Sequence, residues 1–163
     1  MPEITLILHN IRSTHNVGSI FRSAEGFGVK NIICSGYTPY PKLENDVRLP
    51  HIASKLDSQI HKTALGAEKL LPFEHQPELN LQLLIHQGLT IVGLEQDARS
   101  IKISDYQPPQ KIALLLGEEV DGIESSLRDQ CQDLLEIPMQ GQKESFNVSV
   151  AAGIALYALT NRS

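Results

Sequence analysis

Residues 137–157 read IPMQGQKESFNVSVAAGIALY, and this stretch decides how the chain folds. A short apolar segment, the predicted end of a strand, gives way to a polar, glycine-containing segment at 139–146. Residues 147–161 then predict a helix that is apolar on nearly every side, and such a helix must be covered all round. Because a small domain rarely covers a terminal helix completely, we expect this helix to pack against a second copy of the chain.

Short apolar segments recur along the chain, separated by longer segments of helical period. They predict strands at 4–9, 31–36, 90–95, 112–117 and 134–138. Several of these segments are apolar continuously rather than alternately, which is typical of strands that are buried on both faces. The pattern predicts an α/β fold with a mainly parallel sheet and helices on both faces.

The predicted helices fit between these strands. Val17, Ile20, Phe21 and Ala24 lie on one helix face, which ends at Gly26 and Gly28. Further helices are predicted near 78–87 and 124–132. Residues 37–62 are rich in Pro and polar residues and predict a long loop. This loop is either simply solvated or supplies phosphate contacts from Lys42, Arg48, His51, Lys55 and Lys62.

Length and composition limit the classes of protein to consider. The chain has 163 residues, and we expect residues 1–163 to form a single domain without a separate RNA-binding extension. The net charge of −5 argues against unselective binding of nucleic acid through a basic shell, although it permits a local basic patch. The six histidines are dispersed without the spacing of metal ligands, so no metal site is expected.

The chain carries no sign of a membrane or an oxidising compartment. No apolar segment approaches the length that a bilayer requires, and no leader sequence is visible. Cys34 and Cys131 lack a C-x-x-C spacing and are expected to be reduced core residues. We therefore expect a cytoplasmic protein.

Three polar loops follow predicted strands, where the carboxyl ends of a parallel sheet gather ligands. The first places Asn16 before a helix that carries Arg22, and each has an ordinary explanation, as a helix N-cap and as a residue of the solvated face. The second contains Gly117 and Glu119, which also suit a turn with a charged rim. The third holds Ser145, which alone is explained as the N-cap of the last helix.

Taken together, the three loops carry a specific pattern. N-x5-R at 16–22, LLLGxE at 114–119 and IPMxGxxxSxNVSVAAGIALY at 137–157 resemble the three motifs of the SpoU/TrmH-type RNA ribose methyltransferases of the SPOUT superfamily. The resemblance covers essentially the whole chain. Two positions depart from it: Phe146 replaces the usual Leu, and Glu118 stands where Asn or a small polar residue is common.

The resemblance implies a fold and a chemistry. It implies a C-terminal deep trefoil knot, a homodimer formed through the C-terminal helix, and S-adenosylmethionine bound in a bent shape by the 139–146 loop, with no metal. The cofactor contacts it implies are Leu94, Glu95, Leu116, Gly117, Ile137, Met139, Ser145 and Asn147. The catalytic residues it implies are Arg22, Asn16, Glu119, Ser145 and Asn147.

The implied reaction transfers a methyl group to a ribose 2'-hydroxyl, which makes RNA the expected substrate. We expect Arg22 to bind the adjacent phosphate and stabilise negative charge rather than act as a base, because a guanidinium stays protonated. A tRNA is preferred over rRNA, which remains the alternative. A dinucleotide-binding enzyme is disfavoured because G-x-G-x-x-G is missing after the first strand. A knotted RNA-binding module without turnover is the rival from a non-enzyme class.

Overall fold

The structure, a computed structural model, describes residues 1–161 and consists of alternating strands and helices. The strands are β1 Glu3–His9, β2 Asn31–Ser35, β3 Phe73–Gln76, β4 Thr90–Leu94, β5 Ile101–Lys102, β6 Lys111–Leu116 and β7 Asp133–Glu136. The helices are α1 Thr14–Gly26, α2 Pro50–Ala64, α3 Ala67–Leu70, α4 Leu81–His86, α5 Ser125–Arg128 and α6 Val148–Thr160, with a 3₁₀ turn at Ile103–Asp105.

The strands of residues 1–161 form one seven-stranded sheet in the order β3-β2-β1-β6-β4-β7-β5. Every strand pair in it is parallel. The central strand β1 pairs with both β2 and β6, so that His9 lies beside Ser35 and Leu8 beside Leu116. The carboxyl ends of these strands therefore all lie on the same side of the sheet, as the sequence predicts.

Alternate side chains of the central strands enter two separate apolar cores. Leu6, Leu8 and Leu114 belong to the larger core, together with apolar residues of α1, α2 and α6. Ile7 and Leu115 point into a smaller core with apolar residues of α4 and α5. Both faces of the sheet are thus covered by helices, which explains why β6 is apolar at almost every position.

The five predicted strands are present, and the two that sequence reasoning missed lie at the two edges of the sheet. β3 (FEHQ) and β5 (IK) are short and mostly polar, because an edge strand has one neighbour and less apolar surface to bury. The predicted helix at 124–132 is shorter than expected, since α5 covers only Ser125–Arg128.

The prediction of a long loop at 37–62 is wrong in its second half, which forms α2. Pro50 takes the first helical position, where its missing N–H is harmless and its fixed φ favours the helix. Ala53, Ile60 and Ala64 form the buried face. Pro50 is therefore a helix start signal, which the sequence analysis attributed to a loop.

α1 and α2 cross so closely that a glycine is required between them. Gly18 is buried in α1, and a Cβ placed on it would clash with the Thr63 hydroxyl and the Ile60 carbonyl of α2. The Ile60 carbonyl belongs to the helix backbone and does not move aside as a flexible side chain does. The contact therefore determines how near α2 lies to α1.

We expect Gly18→Ala to lower the free energy of unfolding by about 1–3 kcal/mol, the usual cost of overpacking. Gly26→Ala is the matched control, because Gly26 ends the same helix and a Cβ there would meet no atom within 4 Å. Urea denaturation measures both variants. Equal stability of the two would contradict the close crossing of α1 and α2.

Candidate functional site

A pocket of about 180 Å³ opens at the carboxyl ends of β4, β6 and β7. Its apolar part is built from strand ends and the start of α6. The lining residues are Leu94, Glu95, Gln96, Leu116, Gly117, Glu118, Glu119, Val120, Asp121, Gly122, Leu135, Glu136, Ile137, Ser145, Phe146, Val148 and Ala151. The loops that follow three neighbouring strands thus meet at one cavity.

The charge of this pocket has one sign. Its lining includes the carboxylates of Glu95, Glu118, Glu119, Asp121 and Glu136. Within the described part of the chain, no Lys, Arg or His lines it. Such a pocket disfavours phosphate groups and favours a cation that carries an apolar body.

The loop after β6 is folded back tightly on itself. Glu118 and Gly122 exchange two backbone hydrogen bonds, of 3.1 and 2.9 Å between N and O. A Cβ on Gly117 would lie 2.5 Å from the carbonyl carbon of Gly122, so only glycine fits there. The Glu95 carboxylate supports the loop by accepting a hydrogen bond of 2.7 Å from the amide of Ile123.

The Glu119 carboxylate connects this loop to the loop after β1. It accepts hydrogen bonds from the backbone amides of Arg12 and Ser13, each at 3.3 Å. These amides directly precede α1, so the carboxylate lies at the positive end of the helix dipole. Glu119 thereby joins the pocket to the helix that carries Asn16 and Arg22.

A second polar contact joins the start of α1 to the start of α6. The side-chain amide of Asn147 donates a hydrogen bond of 3.2 Å to the side-chain oxygen of Asn16. Asn147 is also the N-cap of α6, since its Oδ1 accepts from the amide of Ser149 at 2.9 Å. Ser13, rather than Asn16, caps α1. The alternative explanations of Asn16 and Ser145 as N-caps are therefore wrong.

The chain matches a known family over most of its length. Residues 3–157 match the model described as the SpoU rRNA Methylase family. The chain belongs to this family. The resemblance inferred from the three sequence motifs is thereby confirmed.

Named relatives of this SpoU chain include two bacterial enzymes, each described as 23S rRNA (guanosine-2'-O-)-methyltransferase RlmB. The protein of Coxiella burnetii is 32% identical over 163 residues, covering 96% of this chain and 57% of the relative. That of Nitrosomonas europaea is 34% identical over 158 residues, covering 96% of this chain and 55% of the relative. The chain therefore spans little more than half the length of these two relatives.

The fold is shared with solved SpoU structures. The SpoU methyltransferase AviRb of Streptomyces viridochromogenes, in complex with the cofactor AdoMet, superposes with a TM-score of 0.76 at 24% identity. The match covers 96% of this chain and 58% of AviRb. This likeness confirms the predicted α/β fold of the SpoU chain.

Most of the predicted site residues surround the pocket. Those that line it are Leu94, Glu95, Leu116, Gly117, Glu119, Ile137 and Ser145. Met139 and Asn147 do not line it, although Asn147 contacts Asn16 beside it. Arg22 is exposed on α1, and its side chain forms no hydrogen bond or ion pair with any residue in 1–161.

Sequence reasoning missed one polar residue that organises the polar segment. Gln96 follows β4 and donates a hydrogen bond of 2.7 Å from its Nε2 to the carbonyl of Glu144. The segment from Gly141 to Phe146 is exposed, so this bond is a point at which it is tied to the pocket wall. A Gln just after a strand end is the only signal that the sequence offers for this contact.

The described residues hold neither a metal cluster nor a membrane helix. No group of three or more His, Cys, Asp or Glu side chains in residues 1–161 is arranged to hold a metal ion. No helix in the same range is long and apolar enough to cross a membrane.

Replacing Gly117 tests whether the tight loop positions Glu119. In Gly117→Ala the added Cβ pushes the Gly122 backbone away, so Glu119 loses its place at the amides of Arg12 and Ser13. We expect faster hydrogen exchange of these two amides, measured by NMR or by mass spectrometry of the peptide that contains them. Gly141→Ala is the control, since a Cβ there meets nothing within 4 Å. Unchanged exchange in Gly117→Ala would refute the coupling.

Proposed function

We propose that this SpoU chain is an S-adenosylmethionine-dependent RNA methyltransferase that acts on a ribose 2'-hydroxyl. The observation that carries the proposal is the junction at Glu119. One carboxylate lines the acidic pocket and also accepts the amides of Arg12 and Ser13, next to the Asn16–Asn147 pair. A cofactor pocket and a reaction centre thereby adjoin each other, as group transfer requires.

The acidic pocket suits S-adenosylmethionine. Leu94, Leu116 and Ile137 offer an apolar slot for adenine at the strand ends. The cofactor carries a positive sulfonium, which the surrounding carboxylates stabilise and which a basic pocket would repel. We keep Met139 and Asn147 as cofactor contacts of this proposal, because residues 139–147 border the pocket at Ser145 and Phe146.

In the proposed reaction the 2'-oxygen attacks the methyl carbon, and the C–S bond breaks as the C–O bond forms. The 2'-oxygen loses its proton to phosphate or water. Arg22 binds the neighbouring phosphate and stabilises negative charge on the oxygen, a role open to it because no protein group in residues 1–161 pairs with it. Asn16, Asn147 and Ser145 orient the ribose, while the Glu119 carboxylate lies near the sulfonium.

We propose rRNA as the substrate. The sequence-based preference for tRNA lacks support, because the two relatives reported above are named for methylation of guanosine in 23S rRNA. The alternative weighed beside it, rRNA, is favoured instead. Mapping of the 2'-O-methyl groups in rRNA identifies the base at the methylated position.

We also propose a homodimer, a C-terminal knot and a single catalytic domain at residues 1–163. Val150 and Tyr157 are 49% and 63% exposed on one face of α6, and Phe146, which is 39% exposed, lies just before that helix. These three residues form the apolar α6 stripe. Covering it by a second copy stabilises both chains by the hydrophobic effect. Membership of the SpoU family supports the knot, which the sequence motifs implied.

Calorimetric titration with S-adenosylmethionine and S-adenosylhomocysteine tests the cofactor proposal without requiring a known RNA. We expect saturable binding of one cofactor per chain. Replacing Glu119 by Gln should weaken the binding of S-adenosylmethionine, a cation, more than the binding of its neutral product S-adenosylhomocysteine. The reason is that the proposed site places the lost charge near the sulfonium. If no heat of binding is detected up to millimolar cofactor, the result would contradict the proposal and favour the non-catalytic RNA-binding module.

Replacing Arg22 separates an enzyme from a binding module. We expect Arg22→Ala to lower methyl transfer to rRNA by about 10²–10³-fold, typical of losing one charge-stabilising donor, with unchanged cofactor affinity. Lys30→Ala, an exposed cation just after the same helix, is the matched control. Near-normal turnover of Arg22→Lys would count against a planar, two-pronged contact with phosphate.

The apolar α6 stripe can be tested by light scattering. A charge at the centre of a buried apolar interface is costly, so Val150→Lys should convert the dimer to a monomer. Leu70→Lys is the control, because Leu70 is 72% exposed and lies outside the stripe. A wild-type monomer at micromolar concentration, or a dimer that persists in Val150→Lys, would refute this interface.

A further inference from the structure

A second depression, of about 430 Å³, lies at the carboxyl ends of β1, β2 and β3 and has no role in the proposal above. Its chemical character is set by Arg12, Tyr37, Tyr40, Arg48 and His75. Within residues 1–161, no Asp or Glu lines it. Its charge is therefore opposite to that of the acidic pocket, which lies at the ends of the neighbouring strands.

One wall of this depression is a fixed stack of three planar groups. The Arg48 guanidinium lies 3.6 Å from the centroid of the Tyr40 ring, and the His75 ring stacks on Tyr40 with a centroid distance of 4.1 Å. Asp46 holds Arg48 through an ion pair of 2.6 Å, which keeps the pKa of Asp46 well below its usual range. Arg48 also donates to the carbonyls of Tyr40 and Pro41. The charge of Arg48 is thus offset by Asp46, and Arg48 serves to hold the wall.

Another part of the depression is built from two exposed groups. Tyr37 is 51% exposed, and the exposed Arg12 guanidinium lies 5.4 Å from its ring centroid. Arg12 forms no ion pair with any residue that the structure describes. An exposed aromatic ring beside an available guanidinium is a surface on which an unstacked nucleobase binds.

The position of Tyr37 is fixed by an unusual backbone. The Tyr37 amide donates a hydrogen bond of 3.1 Å to the Asn10 side chain. Asn10 has a φ of 56° and Gly36 a φ of 62°, and a Cβ on Gly36 would clash with the Asn10 side chain. Left-handed backbone at a non-glycine residue costs energy and recurs where proteins hold ligands. The backbone of Tyr37 is therefore held against the loop after β1.

Arg12 places this surface next to the proposed reaction centre. Its backbone amide donates to Glu119 while its side chain lies over Tyr37. The acidic pocket repels phosphates, so we expect an RNA strand to approach from the side of Arg12. The chain carries a net charge of −5, and RNA affinity must therefore come from such local contacts.

We propose that Tyr37 and Arg12 stack a nucleobase of the RNA substrate, next to the ribose that is methylated. This inference rests on the proposed function and adds a binding site for the base to it. The Tyr40–Arg48–His75 stack forms the rigid wall behind that base. Stacking of this kind accepts any base, so the site contributes affinity and orientation more than sequence selection.

The test measures binding of a fluorescein-labelled single-stranded RNA of roughly 15 nucleotides with all four bases by fluorescence anisotropy. We expect Tyr37→Ala and Tyr37→Leu to weaken RNA binding by about 5–100-fold, because both lack the aromatic face. Tyr37→Phe should bind like the wild type. Leu83→Ala is the matched control, since Leu83 is 50% exposed on another part of the surface. Affinity for S-adenosylmethionine should stay unchanged in all four variants, which also shows that they are folded.

Wild-type affinity in Tyr37→Ala, or an equal loss in Tyr37→Phe, would overturn the proposed base site. Failure of the wild-type chain to bind the RNA would overturn it as well. If RNA binding depends on Tyr37 but no S-adenosylmethionine binds, the base site stands and the proposed methyl transfer fails. The two proposals are therefore separated by the cofactor titration.

Discussion

The Glu119 carboxylate, held by the amides of Arg12 and Ser13, is the contact on which the rest of the site depends. Parallel pairing of β1 with β6 brings the two loops to the same edge of the sheet but does not fix their relative position. The carboxylate does so, since it accepts two donors that helix α1 cannot satisfy itself. Gly117 allows the loop to fold tightly enough for Glu119 to reach them.

A division of charge along one edge of the sheet follows from this arrangement. Carboxylates follow β4, β6 and β7, whereas Arg12, Arg48 and His75 border the ends of β1, β2 and β3. A cationic cofactor and an anionic nucleic acid would otherwise compete for similar surfaces. In the proposed function, opposite charges at neighbouring strand ends give the cofactor and the RNA separate approaches, and Arg12 lies between them.

Much of this molecule could be predicted from sequence because its signals are local. Continuous apolar runs identified the buried strands, and the family resemblance that three motifs carry implied seven residues that line the pocket. The edge strands β3 and β5 escaped prediction because they bury little apolar surface. The alternative explanations of Asn16 and Ser145 as N-caps were wrong because Ser13 and Asn147 are equally adequate caps, and only the three-dimensional path decides between them. The Tyr37 surface could not be predicted, since its parts come from three strands.

The apolar α6 stripe and the acidic pocket share one residue, and this has a thermodynamic consequence. Phe146 lines the pocket and is 39% exposed at the start of the stripe that Val150 and Tyr157 continue. In the proposed dimer a second chain that covers the stripe therefore also covers the rim of the pocket. The cofactor and the second chain would both stabilise one arrangement of Phe146, so each would raise the affinity of the chain for the other. Under the two proposals, cofactor binding and dimerisation are linked through Phe146, which stands where the family usually has Leu.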